Sequence, residues 1–206
     1  GLVVPFGEEE ALGCAGLAMS SRGGARWVVG DRLASDALWQ GLGAPTARLS
    51  SEQVLFEATS VSEGPALDIR IGIDRDFEWL HMAASSMVEE DLSLPWGGHT
   101  PEFFSDRLRS SIRDGTEYIG SHHGEMLYRA EKGSSGTYGA QIGGIWVAPT
   151  ARRMGHGQAG TRAVVMSLLA EVPRVTLHVR ADNHVAIRCY EAIGFKPIRA
   201  FRLLVR

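Results

Sequence analysis

Arg152 and Arg153 stand just ahead of Gly155 and Gly157, and the apolar run from Gly157 to Val172 has helical spacing. A helix that opens in a glycine-rich turn directs its first N–H groups outward with no Cβ at the closest approach. With two guanidinium groups beside it, such a turn suits an anion. An ordinary strand-to-helix connection, with glycines for turn geometry, fits the same residues. The stretch is not a phosphate loop, because no Gly-Lys-Ser/Thr follows. Nor is it a dinucleotide fingerprint: Gly155-x-Gly157-x-x-Gly160 lacks an acidic residue at the end of a second strand about 20 residues on. Two residues downstream suit proton transfer. Tyr190 carries a phenol, a group that ordinarily titrates near about 10 and so can act as a general acid at neutral pH. His178 carries an imidazole of ordinary pKa about 6.5, suited to base work. Each also has a plain reading, Tyr190 as packing on an apolar helix face and His178 as a hydrogen-bonded ring on a sheet.

His122, His123, His156 and His184 show no metal-ligand spacing, so no metal is expected. The net charge of −3 lacks the basic footprint of a nucleic-acid binder. Only Cys14 and Cys189 are present, too few for a disulfide framework, and no long apolar run or signal segment appears. A cytoplasmic protein without nucleic-acid or membrane partners, monomer or homodimer, is the expectation. The chain opens on Gly1 rather than Met, as a processed protein or the ordered part of a longer one would.

Arg152-x-x-Gly155-x-Gly157 resembles the Q/R-x-x-G-x-G/A loop of the GNAT acyl-CoA N-acyltransferase superfamily. Asn183-His-Val-Ala186-Ile-Arg-Cys-Tyr190-Glu-Ala-Ile-Gly194-Phe195 is similar to that family's second signature, N-x-x-A-x-x-x-Y-x-x-x-G-F, with every defined position filled. With flanking strands the resemblance covers roughly residues 67–205. It implies an α/β fold of the α+β mixed-sheet kind, whose splayed central parallel strands admit the pantetheine arm of acetyl-CoA. It also implies an N-acetyltransferase in which a bound primary amine attacks the thioester directly. On that resemblance the carrier is held by Ile145, Trp146 and Val147 on the central strand, by Arg152, Arg153, Met154, Gly155, His156 and Gly157 in the turn, and by Asn183. Asn183 reads equally as a helix cap. Tyr190 becomes the acid. His178, twelve positions earlier, stands where ribosomal-protein N-terminal acetyltransferases have a base-competent glutamate. Many members place a glutamate on the fourth strand instead; here that strand has none, and Gln141 cannot serve. Glu89, Glu90 and Asp91 are the alternative carboxylates, able to attract a small-molecule or peptide amine. Competing readings are a non-catalytic acyl-CoA-binding or regulatory module and a nucleotide-phosphate binder.

These residues need positioning elements. Residues 1–62 read as a small strand-helix-strand region: a short strand at Leu2–Phe6, helices over Glu8–Met19 and Arg32–Leu42 with Asp31 as cap, and strands at Arg26–Val29 and Val54–Ala58. Through Trp27-Val-Val-Gly-Asp and Ala37-Leu-Trp39-x-x-Leu42-Gly43 it weakly resembles the uncharacterised domain preceding some bacterial GNAT cores. Ser60–Pro65 has linker composition, and 63–206 is the expected acetyltransferase domain. There the patterns predict a strand over Leu67–Ile73, a helix over Phe77–Glu89 capped by Asp74 or Asp76, and a loop over Leu92–His99. A helix over Pro101–Arg113 with proline first follows. Next come strands at Glu117–Ser121 and Met126–Ala130, a turn at Lys132–Gly136, and a central strand Tyr138–Val147 with a bulge at Gly143–Gly144. A strand over Arg174–Val179, a helix from Asn183 to Gly194 and a closing hairpin in Lys196–Arg206 complete the reading.

Overall fold

The computed structural model of the chain describes residues 2–21, 23–92 and 102–206. In chain order the elements are β1 (Leu2–Val3), α1 (Glu9–Ser20), β2 (Trp27–Asp31), α2 (Arg32–Gly41), β3 (Leu49–Ala58), β4 (Asp68–Ile71), α3 (Phe77–Leu92), α4 (Glu102–Arg113), β5 (Glu117–His122), β6 (Glu125–Gly136), β7 (Gly139–Val147), α5 (His156–Leu169), β8 (Val175–Arg180), α6 (His184–Ile193) and β9 (Lys196–Val205). This is the mixed α/β architecture expected. The chain forms two compact units. One takes Gly1–Phe56, His178–Ile187 and Pro197–Arg206; the other takes Glu57–Leu177 and Arg188–Lys196.

In the first unit the strand order is β1-β2-β9-β3. Asp31 caps α2 as expected, its Oδ1 accepting from the Leu33 and Ala34 amides at 3.1 and 3.3 Å. Helices α1 and α2 approach closely because Gly16 and Gly41 leave no side chain between them; a Cβ at either would strike facing backbone. Ala25, Val28, Leu38, Trp39 and Leu204 form the core. The expected closing hairpin is not found. β9 is one unbroken strand, antiparallel to β2 from Trp27↔Val205 to Asp31↔Phe201. Residues 198–204 contain no glycine, asparagine or proline to turn the chain, and β2 supplies the partner a hairpin would have supplied.

In the second unit β4, β5, β6 and β7 are successive antiparallel neighbours, and β8 joins β7 in parallel. Cross-strand register puts Glu117, Ile119, Arg129, Glu131 and Trp146 on one face. That face packs on α3 and α4 through a core of Leu80, Leu108, Ile112 and Ile119, with Trp79 edge-on to Trp146 at 6.1 Å. Asp76 proves to be the residue at the start of α3. Its carboxylate accepts from the Ile73 amide at 2.9 Å and bidentately from Arg70 at 2.6 and 2.8 Å, which holds its pKa below the ordinary aspartate value. The opposite face meets α5. Gly160 lies flat on the Tyr128 ring, which explains the third glycine of the turn as a close helix-to-sheet approach, and the Tyr128 hydroxyl meets Thr161 Oγ1 at 3.0 Å.

Two boundaries differ from the sequence reading. The turn expected at Lys132–Gly136 is strand: β6 runs on to Gly136, paired as Lys132↔Ile142 and Ser135↔Ala140, and the chain reverses at Thr137–Tyr138. Ser and Gly there have turn propensity, but ladder bonds to β7 satisfy the backbone instead. Helix α3 continues through Glu89 and Glu90 to Leu92. The rest of the expected loop, residues 93–99, and Pro101 at a helix start lie outside the described residues. The Ser60–Pro65 segment is tied to the second unit: the buried Arg162 donates from Nε to Ser62 O at 3.0 Å and from a terminal nitrogen to Pro65 O at 2.6 Å.

Candidate active site

The site is built where β7 leaves its neighbours. The parallel β7/β8 ladder has two pairs, Ala140↔Val175 and Gln141↔Thr176, while β7 itself continues to Val147. A β-bulge follows at once. Register passes from Arg129↔Trp146 to Glu131↔Gly143, and Gly144 has φ 59, a left-handed value favouring glycine. Beyond the bulge the Ala148 amide donates to Leu127 O on β6 at 2.8 Å. Main-chain groups alternate sides along a strand, so those of Val147 and Ile145 point away from β6. Trp146 has the opposite phase: its main chain faces β6 and its ring is buried against Trp79. The two flanking residues therefore turn their amides away from β6, whereas Trp146 anchors the strand.

Pro149 stops β7 and opens a single 3-10 turn, Pro149–Ala151. Arg152 is extended, Arg153 has φ 62 and Gly155 has φ 83; α5 then starts at His156. Gly155 is the N-cap residue and makes no side-chain cap bond, so the first amides of α5 have no partner within the helix. Among the described residues the space before them is open. A Cβ at Gly155 would meet nothing within 4 Å, and one at Gly157 only Val147 Cγ2 at 3.4 Å. Amides without a side-chain cap, glycines that leave the turn open and strand amides turned away from β6 fit a long acyl carrier with a diphosphate.

Arg152 is already engaged. Its Nε donates to Val147 O at 3.0 Å, and a terminal nitrogen meets both Glu90 oxygens at 2.8 and 3.0 Å. Val147 is thus left with its amide, and Glu90 serves as the counter-ion of the turn. Arg153 and Met154 are exposed, and His156 is half-buried with its ring 5.1 Å from His122, which lies 4.1 Å from His123. Glu89 is exposed on α3, and Asp91 lies in the same helix with its side chain outside the described residues. Among the described residues no group of three or more His, Cys, Asp or Glu is arranged to hold a metal. No described helix is long and apolar enough to cross a membrane.

Tyr190 is 8% exposed on α6 in the second unit, its ring 6.0 Å from Phe195 in an edge arrangement. Phe195 and Gly194 return their amides to Tyr190 O at 3.1 and 3.2 Å, closing the helix at the expected glycine. In the first unit His178 is half-buried with its ring 4.6 Å from Phe201, and burial lowers its pKa below the ordinary 6.5. Asn183 Oδ1 accepts from the Ala186 amide at 3.1 Å, the capping role foreseen for it.

One group escaped the sequence reading. Arg129 and Glu117 form a buried ion pair of 2.8 Å, with Arg129 also donating to Gly144 O at 3.0 Å and lying 3.4 Å from Glu131. Burial pushes the Glu117 carboxyl above its ordinary range, and Arg129 pulls it back. The available signal was an arginine inside the apolar run Met126–Ala130.

A bulged strand that runs into a helix start without a side-chain cap is an arrangement that can take a long acyl carrier. The profile of the Acetyltransferase (GNAT) family matches residues 74–195, more than half the chain, and the chain belongs to that family. The protein is 29% identical over 194 residues to a mycothiol acetyltransferase of Acidothermus cellulolyticus, covering 82% of this chain and 58% of that protein. It is 31% identical over 121 residues to a mycothiol acetyltransferase of Nocardioides, covering 55% of this chain and 39% of that protein. The chain thus spans less than three-fifths of the length of these relatives. Its fold is that of a GNAT acetyltransferase from Colwellia psychrerythraea (TM-score 0.64, 14% identity, 96% of this chain and 72% of that one). A GNAT structure from Novosphingobium aromaticivorans is similar at TM-score 0.62 and 18% identity, over 92% and 78%.

Proposed function

We propose that this chain is an acetyl-CoA-dependent N-acetyltransferase that transfers acetyl to a primary amine by direct attack on the thioester. The observation that carries the reading is the continuity of the β7 amides turned away from β6 with an α5 start that has no side-chain cap. Acetyl-CoA supplies the activated acyl group. The Ile145 and Val147 main-chain groups hold its pantetheine amides, the first amides of α5 hold the diphosphate, and Arg153 adds charge. Arg152 shapes the turn through Glu90. As the amine nitrogen bonds to the acyl carbon and the carbon–sulfur bond breaks, His178 takes the amine proton, and Tyr190 gives its proton to sulfur. A depressed pKa leaves His178 neutral at pH 7, the state a base needs. Residues 63–206 form the catalytic domain in this reading and 1–62 a preceding region, acting in the cytoplasm as monomer or homodimer.

The acceptor is a small-molecule or peptide amine; because the curated relatives are named for mycothiol, a mycothiol-related amine is the first to screen. One observation favours the non-catalytic acyl-CoA-binding alternative: β7 has Gln141 and no carboxylate. The deciding experiment is mass spectrometry for copurified CoA, then an amine screen with acetyl-CoA. Turnover of a primary amine is expected. CoA binding without turnover of any amine selects the binding module, and turnover of hydroxyl acceptors alone overturns the amine assignment.

A further inference from the structure

We infer that the buried Arg129–Glu117 pair sets the shape of β7, and that Arg129 is a positioning residue for the strand that receives the carrier. This rests on the reading of β7 as the carrier strand. Arg129 sits on β6, between β5 and β7, with its side chain 3% exposed. One terminal nitrogen reaches Glu117 Oε1 on β5 at 2.8 Å, and the other donates to Gly144 O on β7 at 3.0 Å. The guanidinium therefore bonds the bulge carbonyl, and a Cβ at Gly144 would fall on the same nitrogen, so only glycine fits there. Glu117, 1% exposed, holds the other terminal nitrogen from β5 through Oε1 alone. Glu131 lies 3.4 Å from it and takes Arg107 at 3.1 Å, so two carboxylates face two guanidiniums.

Such a pair is a poor way to stabilise a core. A buried charge is costly, and apolar residues of similar volume usually serve as well or better. What an apolar side chain cannot do is satisfy the Gly144 carbonyl. Without that donor the bulge loses the side-chain bond from Arg129, and β7 is free to slip by one residue against β6. That would turn the Ile145 and Val147 main-chain groups toward β6 and cover them. A lysine in place of Arg129 presents one ammonium where two separate nitrogens are used, and so cannot hold carboxylate and carbonyl in this fork.

The experiment compares the wild-type chain with Arg129→Met/Glu117→Leu, which removes both charges together. The first readout is amide hydrogen exchange without CoA. The Ile145 and Val147 amides should exchange fast in the wild type and at least tenfold more slowly in the double variant. The second is steady-state kinetics: KM for acetyl-CoA should rise at least tenfold, with kcat within threefold. A folded double variant with wild-type exchange and wild-type KM overturns the positioning role and leaves the carrier reading intact. Altered exchange with unchanged KM overturns β7 as the carrier strand. Should the double variant not fold, Arg129→Lys makes the same test, since it keeps the charge opposite Glu117. Wild-type exchange and KM in that variant overturn the inference.

Discussion

Gly157→Val separates the carrier turn from an ordinary strand-to-helix connection. Gly157 has no left-handed φ, and among the described residues a Cβ there meets only Val147 Cγ2 at 3.4 Å, an ordinary contact. Valine is a slightly better helix former than glycine, by about 0.4 kcal/mol, so the net change in folding free energy should stay within about 1 kcal/mol. For a chain of this size that is a Tm change of about 2–4 °C. Gly155 is a worse place to test, since φ 83 would add roughly 1–2 kcal/mol of left-handed strain to any β-branched residue. The valine branches stand over the first amides of α5. Losing one charge-assisted hydrogen bond there costs about 1.5–3 kcal/mol, which is roughly a 10- to 150-fold weaker Kd for CoA. Titration calorimetry with CoA and scanning calorimetry read the two effects separately. Gly157→Ala is the companion: the GNAT loop admits alanine at this position, so binding should persist with stability equal or higher. A folded Gly157→Val protein with wild-type CoA affinity refutes the phosphate assignment. A Tm loss of more than about 10 °C refutes the reading of that space as open.

Tyr190→Phe removes one oxygen and keeps the ring against Phe195. If Tyr190 is the acid, kcat falls by roughly 10²–10⁴ with CoA affinity unchanged, and full turnover in the folded variant would leave solvent as the proton donor. His178 is buried, so its conjugate acid titrates below the ordinary 6.5. As pH rises through that lowered value the ring loses its proton and becomes a base, so kcat/KM should climb along an acid limb and then level off. His178→Ala should abolish the limb, and an unchanged profile would remove His178 from the mechanism.

Much of the local geometry at the candidate site was legible in the sequence. A turn with Arg152, Gly155 and Gly157 ahead of an apolar helix, the Asp31 and Asn183 caps, the Gly194 helix end and the Gly143–Gly144 bulge each depend on φ, capping or side-chain period within a few residues. Strand and helix order followed from the same periods, and the two GNAT signatures tied that order to a family. Propensity misled where a ladder could override it. Lys132–Gly136 has turn residues yet continues β6, and β9 pairs with β2 across the length of the chain rather than folding on itself.

The pairs that decide the electrostatics of the site come from residues far apart in sequence. Arg152 and Glu90 were read as a carrier ligand and an acceptor ligand; packing of α3 beside the turn makes them each other's counter-ions. Glu117, Arg129 and Gly144 meet only because β5, β6 and β7 align in one register, and a shift of one residue would turn Arg129 to the opposite face. Residue order alone shows most of the strand and helix segments and the Arg152–Gly157 turn, since those preferences are short-range. Which charges are spent on one another, and which main-chain groups of β7 turn away from β6, is settled by packing, because both depend on where neighbouring strands begin and stop pairing.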